Sequence, residues 1–395
     1  MKRGEKFLTY LEDRALIYLD NAATTKVYPE VIKVVTDVLS NDWANPSSNY
    51  SIADRSRKLI EQVREEFAKD LNCDPSEIIF TGSGCESNSL AISGFLKNKY
   101  AYDIYSSDLE HASIMGLVND LPHMCGHETI PVNTVGEIDL DVLCGLFINR
   151  QKYSNYTPFV TIQAANSEFG VIQDIKALAE VTHQYGGIFH CDAVQLFPER
   201  QIDVKDLGVD MLSISGQKFH AGRGCGILYV RKGIQLSPII YGSQESGIRG
   251  GTYNTAAIVA MGKALEINRL NKGKSHIKTL RDKLLTKLST IPNTWLNGPK
   301  TYCNRLENNI SLTIEGVSAE ELVTMCDLNG VIIAKGSACQ SHIPTPSPAL
   351  LAIGLTPEQA LSTIRITLDE FNTEEEIDEA ADIIIKLVER IRFHA

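Results

Sequence analysis

The chain has 395 residues, 43% hydrophobic and 22% charged, the balance of a soluble globular protein. That length exceeds one ordinary hydrophobic core, so one large and one smaller domain are expected. A net charge of −11 argues against nucleic acid as the main partner, because phosphate contacts need a basic face. The longest apolar runs stop short of a membrane span. The opening MKRGEKFLTYLEDR is charged and lacks the apolar centre of a signal peptide, so a cytoplasmic protein is expected.

Taken in chain order, IADRSRKLIEQVREEFAKDL places Ile60, Val63, Phe67 and Leu71 on one stripe, the pattern of an amphipathic surface helix. From about Pro75 to Arg231 short apolar runs alternate with helical stretches. EIIFTG, FVTIQAAN, GIFHCDA, VDMLSIS and GILYVR are apolar on both faces, as buried parallel strands are. DIKALAEVTHQYG puts Ile175, Leu178, Ala179 and Thr182 on one helical face and is closed by Gly186 and Gly187. This βαβ pattern predicts an α/β fold with a mainly parallel sheet. After about Met261 the character changes. MGKALEINRLNKGKSHIKTLRDKLLTKL reads as a long helix broken at Gly273. NNISLTIEG, GVIIAKG and STIRITL then read as strands, and a last helix starts near Glu374. A small α+β domain is expected there, so the divisions are 18–260 for the large domain and 1–17 with 261–395 for the small one.

Nine cysteines are scattered at positions 73, 85, 125, 144, 191, 225, 303, 326 and 339, with no CxxC, and free thiols are expected. HMCGH (His123, Cys125, His127) reads as a loop without evident third and fourth ligands, so no metal site is expected. Cys339 stands alone in AKGSACQSHIPTPSPAL, a loop of about 334–348 with small residues before it and prolines after it.

Three strand ends could carry chemistry, since ligands of open α/β sheets sit there. IIFTGSGCES closes a strand in a Gly/Ser turn that could cradle a phosphate, although many strand-to-helix turns share that composition. FHCDAVQ ends in Asp192, able to bond a cationic ring nitrogen or simply to cap a helix. SISGQK presents Lys218, either a Schiff-base amine or an exposed loop lysine. Phosphate turn, Asp and Lys in this order suit pyridoxal 5'-phosphate (PLP).

With IYLDNAATT, NPSS, IIFTGSGCESNSLAI, EHASI, NSEFGVIQDI, HCDAVQ, SISGQK, RGGT, GSAC and STIRITL in order, nearly the whole chain resembles the NifS-like cysteine desulfurases of the class V aminotransferase family. The resemblance implies the PLP fold type I, with a mainly parallel seven-stranded sheet plus a small α+β domain, and a homodimer with both copies near each site. It implies that Lys218 carries PLP, Asp192 pairs with the ring nitrogen, Gln195 bonds the phenolic oxygen and His111 stacks on the ring. Gly84, Cys85, Ser215 and Gln217 fall at the phosphate positions, and Thr252 at one that reaches the phosphate of the other copy. Arg365 would clamp the substrate carboxylate, with Asn45 and Asn166 beside it, and Asn21 to Thr25 would line the entrance. Cys339 would take sulfur from L-cysteine as a persulfide, release alanine, and pass the sulfur to an acceptor protein, an iron–sulfur scaffold among the candidates.

Two residues depart from the usual pattern. Cys85 replaces a Thr, losing a strong hydroxyl donor, and Gln217 replaces a His, keeping a donor but losing a cation. The alternatives are a selenocysteine lyase or another enzyme of the same family, and a degenerate scaffold protein of the same fold. Cys339 distinguishes the first group, since a true aminotransferase needs no nucleophilic thiol.

Overall fold

The computed structural model describes residues 16–97, 102–120, 126–152, 156–197, 199–271, 276–336 and 345–394. Cys339, His123, Cys125 and Gly273 lie outside the described residues. In chain order the strands are β1 Ile17–Tyr18, β2 Ile78–Thr81, β3 Tyr102–Ser107, β4 His127–Ile130, β5 Thr157–Gln163, β6 Ile188–Asp192, β7 Met211–Ser215, β8 Gly226–Val230, β9 Thr294–Leu296, β10 Asn309–Ile314, β11 Val331–Ile332, β12 Ala334–Lys335 and β13 Thr363–Thr367.

Seven of these form one sheet in the order β2-β8-β7-β6-β5-β3-β4. β8 is antiparallel to both its neighbours and every other pairing is parallel, so β8 alone runs against the rest. The mainly parallel seven-stranded sheet that the resemblance implies is therefore present. Alternate residues serve opposite faces, as the strand period demands. Val160, Leu212, Ile227 and Tyr229 enter the largest apolar cluster. Phe159, Met211, Leu228 and Val230 enter a second cluster on the other face.

The helix Ser51–Leu71 buries Ile60, Val63, Phe67 and Leu71, the stripe expected of it. Beyond the helix Thr255–Asn271, an antiparallel sheet runs β12-β13-β10-β9. Its apolar cluster takes Leu284 from the helix Ile277–Leu288, Ile310 and Ile364 from the sheet, and Ile384 from the helix Glu374–His394. The same cluster holds Ile17 and Leu19, because β1 pairs in parallel with β11.

β1, β3, β4 and β9 are not among the runs that read as strands, and of these β3 and β4 belong to the large sheet. HMCGH reads as a loop, yet His127 opens β4, held at 2.9 Å from the Ser106 hydroxyl of β3. No helix among the described residues is long and apolar enough to cross a membrane.

Candidate active site

β2, β6 and β7 run the same way, so Thr81, Asp192 and Ser215 arrive at one edge of the sheet, with Gly226 of β8 set between Ser215 and Thr81. The turn after β2 presses onto this edge. A Cβ on Gly226 would stand 2.6 Å from the Ser83 carbonyl carbon, and one on Gly84 2.8 Å from Val194 Cγ2 and 3.1 Å from Ser215 Cβ. Only glycine lets the turn, Val194 and Ser215 approach so closely. Ser83 caps the following helix Gly84–Ser89 through the Glu86 N–H. Glu86 in turn accepts from Gly82 N–H and pairs with Arg249 at 2.7 Å, tying the turn to the loop that carries Thr252.

Asp192 is buried, and both its oxygens accept: Oδ1 from the Val194 N–H at 3.0 Å and Oδ2 from the Asn88 amide at 2.8 Å. Asn88 also donates to Ser113 Oγ at 3.1 Å, and Ser113 meets His111 Nδ1 at 2.8 Å through its hydroxyl and 3.1 Å through its main-chain N–H. Glu110, just before His111, anchors that turn beneath the sheet edge. It accepts from the Ser107 hydroxyl at 2.6 Å and from the Gln163 N–H at 2.8 Å. Burial pushes the Glu110 carboxyl well above its ordinary range.

Lys218 follows β7 in a single tight turn, Gly216–Lys218. Its amine donates to the carbonyls of Ala22 at 2.6 Å and Ala23 at 2.7 Å, and Gln195 donates to the same Ala22 carbonyl at 3.0 Å. Burial first, and the Arg365 guanidinium second, lower the amine to about 8. The segment that receives Lys218 is stapled at its other end to β13: Asn21 Nδ2 donates to the Thr367 carbonyl at 2.9 Å and Ala22 N–H to Thr367 Oγ1 at 2.9 Å. On β13, Ile364 and Ile366 enter the small-sheet core, so Arg365 between them faces the opposite way and meets Asp20 at 2.7 Å. Its Nε is buried with no hydrogen-bond partner among the described residues.

Asp192, Lys218, Gln195, Gly84, Ser215 and Arg365 are thus joined through short contacts or one intermediary, and His111 reaches Asp192 through two, Ser113 and Asn88. Cys85 is exposed and lies near enough to act electrostatically on Lys218. Gln217 offers its carbonyl to the N–H and hydroxyl of Thr25. Asn166 is buried, and its Oδ1 accepts from Glu168 and Phe169 N–H groups. Asn45 and Thr252 are exposed on this chain. A cavity of about 650 Å³ shares Lys218, Gln195, Asn21 and Ala22 with the cluster, and neither Asp192 nor His111 lines it.

Sequence reasoning passed over Asn88, Ser113, Glu86 and Asp20. Asn88 had a signal: it lies four residues after Gly84, on the same helical face as the phosphate turn. Ser113 and Asp20 had none beyond their neighbours His111 and Asn21.

The class-V aminotransferase model matches residues 17–380. A curated relative named cysteine desulfurase IscS, from Clostridium botulinum, is 35% identical over 383 residues, which are 95% of each chain. The solved structure of a NifS-like protein from Rickettsia africae superposes with a TM-score of 0.84 at 34% identity, covering 95% of this chain and 99% of its own. A structure titled SspA in complex with cysteine gives a TM-score of 0.77 at 30% identity, covering 90% of this chain and 100% of its own. With a family model spanning almost the whole length and relatives that match end to end, this chain belongs to the class-V aminotransferase family.

Proposed function

We propose that the chain is a cysteine desulfurase that uses PLP, takes sulfur from L-cysteine, and leaves L-alanine. The sulfur is held as a persulfide on Cys339 for an acceptor protein. The observation that carries this reading is the convergence on Lys218 of Asp192, from the same end of the seven-stranded sheet, and Arg365, from β13 of the small sheet, both close enough to act on its amine. Relatives of that name along the full length of the chain, and the cysteine complex of a relative, support it.

The residues present fit the cofactor. Asp192 supplies a buried acceptor, Lys218 an amine with a lowered pKa, and the Gly84–Ser215–Gly226 contact a cradle that a single Cβ would fill. Bound there, PLP supplies a sink for negative charge that develops at the substrate Cα. Asp192 would hold the ring nitrogen, Gln195 the phenolic oxygen and His111 the ring face. Backbone N–H groups at Gly84 and Cys85, with Ser215 and Gln217, would hold the phosphate. Lys218 would carry the cofactor and would move a proton at the substrate Cα. An amine near 8 serves this step, because a general base works best when its pKa lies near the working pH. Arg365 would hold the substrate carboxylate, with Asn45 and Asn166 assisting it.

The Cys339 thiolate then attacks the substrate Sγ. An S–S bond forms, the Cβ–Sγ bond breaks, and the electron pair left on Cβ takes a proton to give the methyl group of alanine. The thiolate form is the nucleophile, so exposure and pKa of Cys339 govern the step.

Thr252 is exposed and would serve the site of a second copy. A homodimer is supported by exposed apolar residues on and just after the helix Pro29–Asn41. Ile32 and Leu39 lie seven residues apart on it, 56% and 64% exposed, and Trp43 follows at 72%. The same reading assigns the protein to the cytoplasm.

The test uses purified protein loaded with PLP and given L-cysteine and a reductant. Alanine and sulfide should appear in equal amounts and vanish together in Lys218→Ala. Turnover that survives Lys218→Ala, or alanine without sulfur release, contradicts the reading. Comparing kcat/KM for L-cysteine and L-selenocysteine separates it from a selenocysteine lyase.

A further inference from the structure

We propose that Asn88 and Ser113 are positioning residues that fix the tautomer and orientation of His111 and tie it to Asp192. The proposal rests on the reading that Asp192 and His111 serve the same bound ring, and it adds two residues to that site. Its geometry is a single hydrogen-bond chain: Asp192 Oδ2, Asn88 Nδ2 at 2.8 Å, Ser113 Oγ at 3.1 Å, His111 Nδ1 at 2.8 Å.

The direction of every bond in the chain follows from donors that cannot reverse. An amide NH₂ only donates, and Asn88 has two hydrogens on one nitrogen. One goes to Asp192 and the other to Ser113 Oγ. With that lone pair filled, the Ser113 hydroxyl hydrogen is free to go to His111 Nδ1. At the far end the Ser113 main-chain N–H also points at His111 Nδ1, at 3.1 Å, and it too can only donate. His111 Nδ1 is therefore an acceptor of two hydrogen bonds. The neutral ring carries its hydrogen on Nε2, leaving a donor and not a lone pair at that position. Turning the Asn88 amide over would set its carbonyl against the Asp192 carboxylate, so the orientation is unique.

Two further observations single out Asn88. It is 1% exposed, and its Oδ1 is buried with no hydrogen-bond partner among the described residues. A buried amide that leaves its acceptor unused is costly unless its donors are needed. Second, Asn88 is the last residue but one of the α-helical stretch Gly84–Ser89, which Leu90–Gly94 continues as a π-turn. Such turns are rare and recur at functional sites.

The test reads the ring directly. Long-range ¹H–¹⁵N spectra are recorded on histidine-labelled protein, before and after loading with PLP, with His111→Gln to assign the signal. The parent should show one His111 tautomer, hydrogen on Nε2. In Ser113→Ala and in Asn88→Ala the Nδ1 resonance should move as the hydroxyl donor is lost or released. The absorption band of bound PLP should shift in the Asn88 variant. kcat for alanine formation should fall about 10- to 100-fold in both, the scale of a misaligned group, with KM held within about twofold, as for a residue that acts only after binding. Ser113 is partly exposed and its variant should fold, so the test stands even if Asn88→Ala does not. Hydrogen on Nδ1 in the parent, or a His111 signal unchanged in Ser113→Ala, overturns the proposal. Because the tautomer is read without turnover, failure of the desulfurase reading would show separately, as no alanine from the parent.

Discussion

Arg365 gives one Nη2 hydrogen to Asp20 at 2.7 Å while its Nε stays buried and unpartnered among the described residues. The guanidinium is held in place by the segment that also accepts the Lys218 amine, and it keeps a free donor. A substrate carboxylate needs that arrangement. Arg365→Lys keeps the charge but loses the planar fork, so KM for L-cysteine should rise about 10- to 100-fold, as for one charge-assisted hydrogen bond of about 1.5–3 kcal/mol. Steady-state kinetics checks this, and an unchanged KM would remove Arg365 from the carboxylate site.

The Lys218 amine is lowered from an ordinary 10.5 to about 8, by burial first and by Arg365 second. A neutral amine is the reactive form. The rate of PLP uptake by the apoprotein should therefore rise with pH to a midpoint near 8. Arg365→Met removes one of the two lowering causes, so its midpoint should lie higher. Stopped-flow absorbance against pH measures both.

Glu168 tests a quieter consequence of the fold. Burial raises its carboxyl from 4.5 to about 7, against the opposing Ser347 hydroxyl and Arg365 guanidinium. The folded chain then keeps a proton that the unfolded chain gives up. The group's contribution to stability is present below pH 4.5 and is lost as pH rises through about 7. Glu168→Gln cannot titrate. The Tm of the parent minus that of the variant should fall from pH 4.5 to 7 and level off above, as read by calorimetry across that window.

Arg64 and Glu245 form a buried two-point ion pair, at 2.9 and 3.0 Å. Glu245 and Ser246 both sit in the left-handed region, with φ of 46° and 55°, just before the loop that carries Thr252. Strain of this kind persists only where neighbours enforce it. Arg64→Ala should lower unfolding free energy by about 3–5 kcal/mol, because it leaves a buried carboxylate unpaired. The double variant Arg64→Met, Glu245→Gln should lose less. Urea denaturation distinguishes the two.

Much of this was legible in the sequence for a physical reason. β5, β6, β7 and β8 are buried on both faces, so their apolar runs stand out from the flanking turns. β3 escaped because it looks polar: YDIYSS buries Asp103, Ser106 and Ser107. Two of their partners, Arg150 and His127, come from elsewhere in the chain, and Glu110 from the turn just after β3. The candidate residues sit at strand ends, where an α/β sheet presents its ligands, and motif order found them. What no local pattern could reveal is pairing at a distance, such as Asn88 with Ser113 or Arg365 with Asp20.

In the proposed reaction sulfur passes to Cys339. The direct measurement is mass spectrometry of the peptide bearing Cys339, after PLP-loaded protein is given L-cysteine without reductant. This peptide should gain the mass of one sulfur atom. Cys339→Ser should gain none and make almost no alanine while still binding PLP through Lys218. Alanine and sulfide released by Cys339→Ser at the parental rate would contradict it.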